Sequence, residues 1–289
     1  MQRLYVPATV ANLGSGFDVF GVALNLYLEV EYREAERDRF VYEGDGQIAD
    51  SPNNIVHQAL RAAFAEVDDQ PPPLEIRVFN PIPLARGMGS SAAARVAGAM
   101  IADRLLSGRL GLEGVFRVAC ELEGHPDNVA PAVFGGFQLA LSQPLIHLEL
   151  PHPEDLFFVL AVPAFELPTS AARDALPAEV PLSDAVFNLS RAALWPPALA
   201  AGSLELMREA ARDRLHQPYR LHLMPGAEEV LGKAAELGAP AFVAGAGPSI
   251  AAIFRGDPAP LAAIFDEYVG EDGQIFTLSI GEGAKWKAT

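Results

Sequence analysis

GMGSSAAARVAG, residues 87–98, joins a glycine turn to a run of strong helix formers, with two serines at the junction. In the longer stretch PIPLARGMGSSAAARVAGAMIADRLL the glycines stand where backbone must come close to a ligand, and Ser90 and Ser91 stand at a helix start. Free N–H groups and the positive end of the helix dipole make such a start favourable for phosphate. The serine hydroxyls can cap the helix or ligate Mg²⁺. Taken alone, the motif fits an ordinary capped helix after a tight turn equally well, because short glycine motifs recur by chance.

The surrounding chain mixes two periods. Residues 22–32 (VALNLYLEVEY) alternate apolar and polar, as a half-buried antiparallel strand does, and LEIRVF (74–79) repeats the pattern. Between them SPNNIVHQALRAAFAEV begins with cap-type residues and places Val56, Leu60, Ala63 and Val67 at helical spacing. In the second half, strand candidates at 157–162, 240–244 and 249–254 are interleaved with helical stretches at 183–194, 203–215, 226–237 and 258–269. The Pro-rich QPPPLE (70–75) reads as a rigid turn. A boundary near LSQPLIHLELPHPEDL (141–156) divides the 289 residues into two α+β domains, 1–150 and 151–289, about the size expected for a pair sharing one cleft.

Composition excludes several classes. Lys+Arg 21 against Asp+Glu 37 leaves a net charge of −16, which repels nucleic acid and anionic lipid. No apolar run approaches the roughly 18–20 residues of a membrane span, and MQRLYVPATV lacks the apolar core of a signal peptide, so a cytoplasmic location is expected. The single cysteine, Cys120, lies in a helix-type context (FRVACEL) and reads as a buried structural thiol. The six histidines are scattered, without zinc-type spacing, which leaves a hard ion held by oxygens as the metal to expect. No lysine occurs before Lys233, which rules out a P-loop lysine of the GxxxxGK[ST] kind.

Three ordered blocks now gain meaning together. PATVANLGSGFDVFG (7–21), PIPLARGMGSSAA (81–93) and FVAGAGPSIAA (242–252) resemble the three motifs of the GHMP kinases, named for galactokinase, homoserine kinase, mevalonate kinase and phosphomevalonate kinase. EGHPDNVAPAVFGGFQLAL (123–141), TSAARDALP (169–177) and DRLHQPYRLHLMPG (213–226) are similar to the pattern of the branch that phosphorylates homoserine, so the resemblance spans nearly the whole chain. It implies an α+β GHMP kinase fold, with an N-terminal ribosomal-protein-S5-domain-2-like domain and a C-terminal ferredoxin-like α+β domain. It also implies ATP and Mg²⁺ as cofactors, L-homoserine as acceptor, and a homodimer. One departure is Ala85, where that branch usually carries Gly. Thr9 occupies roughly the place of a lysine found in mevalonate kinase, which makes sugar and mevalonate acceptors less fitting. A kinase with another acceptor, and a catalytically silent homologue that binds a metabolite, are the alternatives.

The resemblance also implies roles for individual residues. Pro83, Leu84, Ala85, Arg86, Gly87, Met88, Gly89, Ser90, Ser91 and Ala92 would hold the phosphates, and Asn54 would approach adenine, although an Asn-capped helix explains Asn54 as well. Ser91, or Ser90, and Glu121 would ligate Mg²⁺, with Glu123 the competing carboxylate. Arg173 and Arg220 would bind the substrate carboxylate through the planar guanidinium fork, Asn12 and Asp18 the amino group and hydroxyl, and His125 the substrate side. Asn128 and Thr169 would guide the hydroxyl; Asp127 is open between a base and a turn residue. Phosphoryl transfer passes through a loose transition state, so positioning and charge neutralisation can replace a strong protein base. The glycines of AGAGPSIAA would let a second-domain loop brace the phosphate loop.

Overall fold

A computed structural model describes residues 1–46, 48 and 53–287. The first half is organised by β1 (Gln2–Ala11) and β2 (Phe20–Glu34), antiparallel over nearly the full length of β1, with a register shift between Pro7 and Ala8. From Ala8 to Ala11, β1 is buried on both faces, so it lacks the polar alternation of an outer strand. β3 (Arg39–Gly44), α1 (Ile55–Ala65) and β4 (Leu74–Asn80) follow; β3 runs parallel to β4, which pairs antiparallel with β2. Asn54 caps α1, its Oδ1 accepting the His57 N–H at 3.0 Å.

α2 (Ser90–Leu105) is the helix that the opening stretch predicts. It is buried on most sides, and its small residues let α1 pack close: a Cβ on Gly98 would lie 2.2 Å from the Val56 carbonyl. α3 (Gly111–Glu123), α4 (Val129–Phe134), β5 (Phe137–Ser142) and β6 (Leu145–Leu150) complete this half, with β5 joining β2 and β6 joining β5.

The second half contains β7 (Phe157–Val162), α5 (Thr169–Asp174), α6 (Leu182–Ala192), α7 (Trp195–Ala201), α8 (Leu204–Ala210) and α9 (Gln217–Arg220). It continues through α10 (Ala227–Glu236), β8 (Ala241–Val243), β9 (Ile250–Phe254), α11 (Ala259–Val269) and β10 (Gln274–Ser279). Its sheet is antiparallel, in the order β10-β7-β9-β8. Along β7, Val159 and Ala161 pack with residues of α10 and α11, while Phe158, Leu160 and Val162 join the core that extends into the first half. Burial on both faces accounts for the unbroken apolar run FFVLAV.

The expected division at residue 150 falls between β6 and β7, but the second segment does not stay on its own side. β11 (Lys285–Trp286) pairs with β1, Leu4 opposite Trp286, and Ile280 and Glu282 bridge to Leu24 and Gly135. Residues 280–287 thus belong physically with the first sheet. No helix among the described residues is long and apolar enough to cross a membrane.

Candidate active site

A cavity of about 490 Å³ lies where the two halves meet. Its walls are formed by the turn 83–89 with the start of α2, by Asn12 and Asp18, by Thr169 and Arg173 of α5, and by Arg220 and Gly245. Two contacts explain the glycines. A Cβ on Gly89 would fall 1.9 Å from Thr9 Oγ1, and one on Gly87 would fall 2.1 Å from the Ala244 carbonyl. Both residues also have positive φ, 69° and 75°, where a side chain is strained. The second-domain loop 244–247 therefore rests directly on the phosphate-type turn, as AGAGPSIAA suggests. Ala85 holds φ 53°, a left-handed conformation at the one position where the turn lacks its usual glycine.

No side chain caps α2, whose N-cap is Gly89, so its first-turn N–H groups are available to an anion. The serines have other partners. Ser90 Oγ accepts from Asn80 Nδ2 at 3.2 Å, and Ser91 Oγ donates to Glu123 Oε1 at 2.6 Å. Glu123 is also ion-paired with Arg95.

The metal-side assignment needs correcting. Glu121 lies outside the cavity, its side chain 63% exposed and 3.8 Å from Arg117 Nη1, whereas the Glu123 side chain is 7% exposed and lines the cavity beside Ser91. One further correction concerns the phosphate turn. Ala92 is wholly buried and is not part of the lining. Arg86 lines the cavity, and its guanidinium donates to the Pro163 carbonyl (2.9 Å), the Ala164 carbonyl (2.6 Å) and the Leu84 carbonyl (2.9 Å). The other phosphate candidates, Pro83, Leu84, Ala85, Gly87, Met88, Gly89, Ser90 and Ser91, line the cavity, as does Asn54. Sequence reasoning did not reach the apolar end formed by Leu28, Phe40, Tyr42, Ile55, Val56 and Val78, because these residues come from three strands and a helix with no shared motif.

The substrate-side candidates converge. Asp18 holds Arg173 through two bonds, Nη1 at 3.1 Å and Nη2 at 2.9 Å, and that pairing keeps the Arg173 pKa raised. Asn12 ties the wall together: its Oδ1 accepts the Asp18 N–H at 2.9 Å and its Nδ2 donates to the Gly245 carbonyl at 2.7 Å. Asn128 Oδ1 accepts from Thr9 Oγ1 at 2.8 Å, which turns the amide so that Nδ2 is left for a ligand. His125 Nδ1 is 2.5 Å from Asp127 Oδ1, and its Nε2 is 4.0 Å from Glu123 Oε1. Thr169 opens α5 at the cavity edge.

Arg220 is the most unusual group. It is 1% exposed, yet no carboxylate pairs with it among the described residues. Nε donates to the Ala172 carbonyl at 3.0 Å, and Nη1 to His216 Nδ1 at 3.1 Å and the Gly245 carbonyl at 3.3 Å. Burial, then the nearby Arg173 charge, pulls its pKa down to about 10, so it is still cationic at neutral pH. A buried cation without a counter-ion is costly unless a ligand supplies the anion.

Among the described residues no group of three or more His, Cys, Asp and Glu is arranged to hold a metal. Ser91 and Glu123 offer two cavity-side oxygens, the sparse shell that Mg²⁺ accepts when phosphate and water complete it.

Residues 54–136 match the family model for the GHMP kinases N terminal domain, and residues 197–269 match that for GHMP kinases C terminal. The chain belongs to the GHMP kinase family. Among GHMP kinases, the homoserine kinase of Thermus thermophilus is 60% identical, covering 100% of this chain and 99% of the relative. That of Moorella thermoacetica is 46% identical over 89% of this chain and 88% of its own length. A crystal structure of homoserine kinase from Cytophaga hutchinsonii superposes with a TM-score of 0.88 at 28% identity, covering 99% of this chain and 97% of the other. Mevalonate kinase of Methanococcus jannaschii, a more distant GHMP kinase at 14% identity and TM-score 0.69, shares the fold.

Proposed function

We propose that the protein is an ATP-dependent homoserine kinase, transferring the γ-phosphoryl group to the side-chain hydroxyl of L-homoserine to give O-phospho-L-homoserine for threonine biosynthesis. The observation that carries this reading is the buried, unpaired Arg220 lining the same cavity as the Asp18–Arg173 pair. A zwitterionic amino acid complements that arrangement: its carboxylate supplies the missing counter-ion of Arg220, with Arg173 beside it, and its ammonium meets Asp18. Full-length similarity to homoserine kinases supports the same acceptor.

ATP would be held by the uncapped start of α2 and the 83–91 turn, with adenine toward the apolar end around Phe40, Tyr42 and Asn54. Ser91 and Glu123 would hold Mg²⁺, which when bound neutralises phosphate charge. Asn128 Nδ2 and Thr169, both on the cavity, would orient the homoserine hydroxyl toward the γ-phosphorus. His125, fixed by Asp127 and 4.0 Å from Glu123, would line the substrate side. With no lysine lining the cavity, catalysis rests on orientation and charge, and the hydroxyl proton leaves to phosphate or solvent. A cytoplasmic homodimer completes this reading.

An ADP-release assay offering homoserine, mevalonate, shikimate and galactose tests it. Turnover with homoserine alone is expected. Turnover only with another acceptor would replace the substrate, and nucleotide binding without any turnover would mark a silent homologue.

A further inference from the structure

Arg220 owes its orientation to a residue that no motif singles out. His216 is wholly buried one helical turn before it. His216 Nε2 lies 2.8 Å from the Gly14 carbonyl, a group that only accepts, so Nε2 carries the hydrogen and Nδ1 presents a lone pair. That lone pair receives Arg220 Nη1. Three further contacts hold the His216–Arg220 unit. Phe17 stacks on it at 5.1 Å and 22°, Asp213 accepts the His216 backbone N–H at 2.9 Å, and the same Phe17 ring lies 5.2 Å from the Arg220 guanidinium carbon. The Asp213 carboxylate is already committed to the Leu215, His216 and Gln217 N–H groups and to Asn188.

We infer that His216 is a positioning residue for the substrate carboxylate: a neutral imidazole that aims Arg220 into the cleft without cancelling its charge. The chemistry of the acceptor matters. A carboxylate at this place would hold Nη1 equally well but would neutralise the guanidinium and compete with the incoming substrate. The imidazole nitrogen accepts one hydrogen bond and leaves the full positive charge, while Nη2, outside all three bonds described above, remains for the ligand. Burial disfavours a second ring proton and so does the Arg220 charge, whereas Asp213, its Oδ2 3.7 Å away, and Asp18 favour it; burial is the largest effect and keeps the ring neutral. Because Asn12 and Arg220 share the Gly245 carbonyl, the same bond also fixes the guanidinium against the second-domain loop.

This inference rests on the proposed function, and two variants separate the two. His216→Phe keeps the aromatic stack and removes the acceptor; His216→Gln offers an amide oxygen to Nη1 and an N–H to Gly14. In steady-state assays, His216→Phe is expected to raise the homoserine KM about tenfold or more with the ATP KM within about twofold, and His216→Gln to recover most of the loss. With 3-aminopropan-1-ol, which keeps the amine and hydroxyl but lacks the carboxylate, wild type and His216→Phe should show equal kcat/KM. Equal shifts in both KM values, or the same penalty on the carboxylate-free acceptor, would overturn the inference. Arg220→Met guards the underlying reading. If it leaves the homoserine KM unaltered, the carboxylate site is elsewhere and both claims fall; if it raises that KM and His216→Phe does not, only the role of His216 falls. Imidazole ¹⁵N spectra of the wild-type chain, independent of any variant's folding, should show His216 as the neutral Nε2–H tautomer; a charged or Nδ1–H ring would overturn it.

Discussion

Glu121 and Glu123 are two positions apart on α3, about 200° of helical rotation, so one faces water when the other faces the cleft. Sequence similarity brings both carboxylates to the right neighbourhood, and only the phase of the helix chooses between them. Glu123→Gln is expected to lower kcat roughly a hundredfold in ADP-release kinetics, while Glu121→Gln stays within about twofold. The reverse order would return the metal-side role to Glu121. Arg220 illustrates the same limit. Read as QPYRLHL it fits an exposed strand charge, and its burial follows from the loop 213–217, where one side chain, Asp213, gathers three backbone N–H groups. That local capture competes with helical bonding, which is why α8 stops at Ala210 although helical periodicity extends to 215.

At the scale of elements, the glycine turn and α2 are legible because backbone needs dictate residue type there. Gly87→Ala places a methyl 2.1 Å from the Ala244 carbonyl at φ 75°, and is expected to cost about 2–4 kcal/mol in urea unfolding and to weaken ATP binding. Ala85 is a contrasting test of the same turn, since its left-handed conformation is already tolerated with a side chain. The strands that alternate, β2 and β4, are equally legible, and their pairing carries a titratable clamp. Arg33, directly opposite Glu75, and then Arg77 hold the Glu75 carboxyl below its ordinary 4.5. A depressed folded-state value means stability that is present above that ordinary value and lost as pH falls through the folded one. Thermal melts of Glu75→Gln should therefore lose part of the acid-side slope of the wild type, with little change at neutral pH beyond a constant offset. An unaltered slope would show the clamp to be energetically silent.

Across the whole molecule, the features that the sequence leaves dark are those made by distant segments. Nothing local in KW (285–286) tells that it completes the sheet begun at residue 2, and nothing in ARGMG tells that Arg86 serves as a staple between halves. That staple, with the Leu167 N–H donating to the Ala85 carbonyl at 3.1 Å, links the nucleotide turn to the segment leading into Thr169 and Arg173. Arg86→Ala is expected to raise the KM of ATP and of homoserine together, each by about three- to tenfold, in contrast to the one-sided effect of Arg220→Met. A change confined to ATP would instead mark Arg86 as a direct phosphate contact. The choice of guanidinium over ammonium throughout the cleft has a practical corollary. The chain's lysines are Lys233, Lys285 and Lys287, none of them in the cavity lining. Amine-acylating dyes and surface-immobilisation chemistries therefore spare the groove, whereas dicarbonyl reagents that condense with arginine target the side chains proposed to bind the substrate carboxylate.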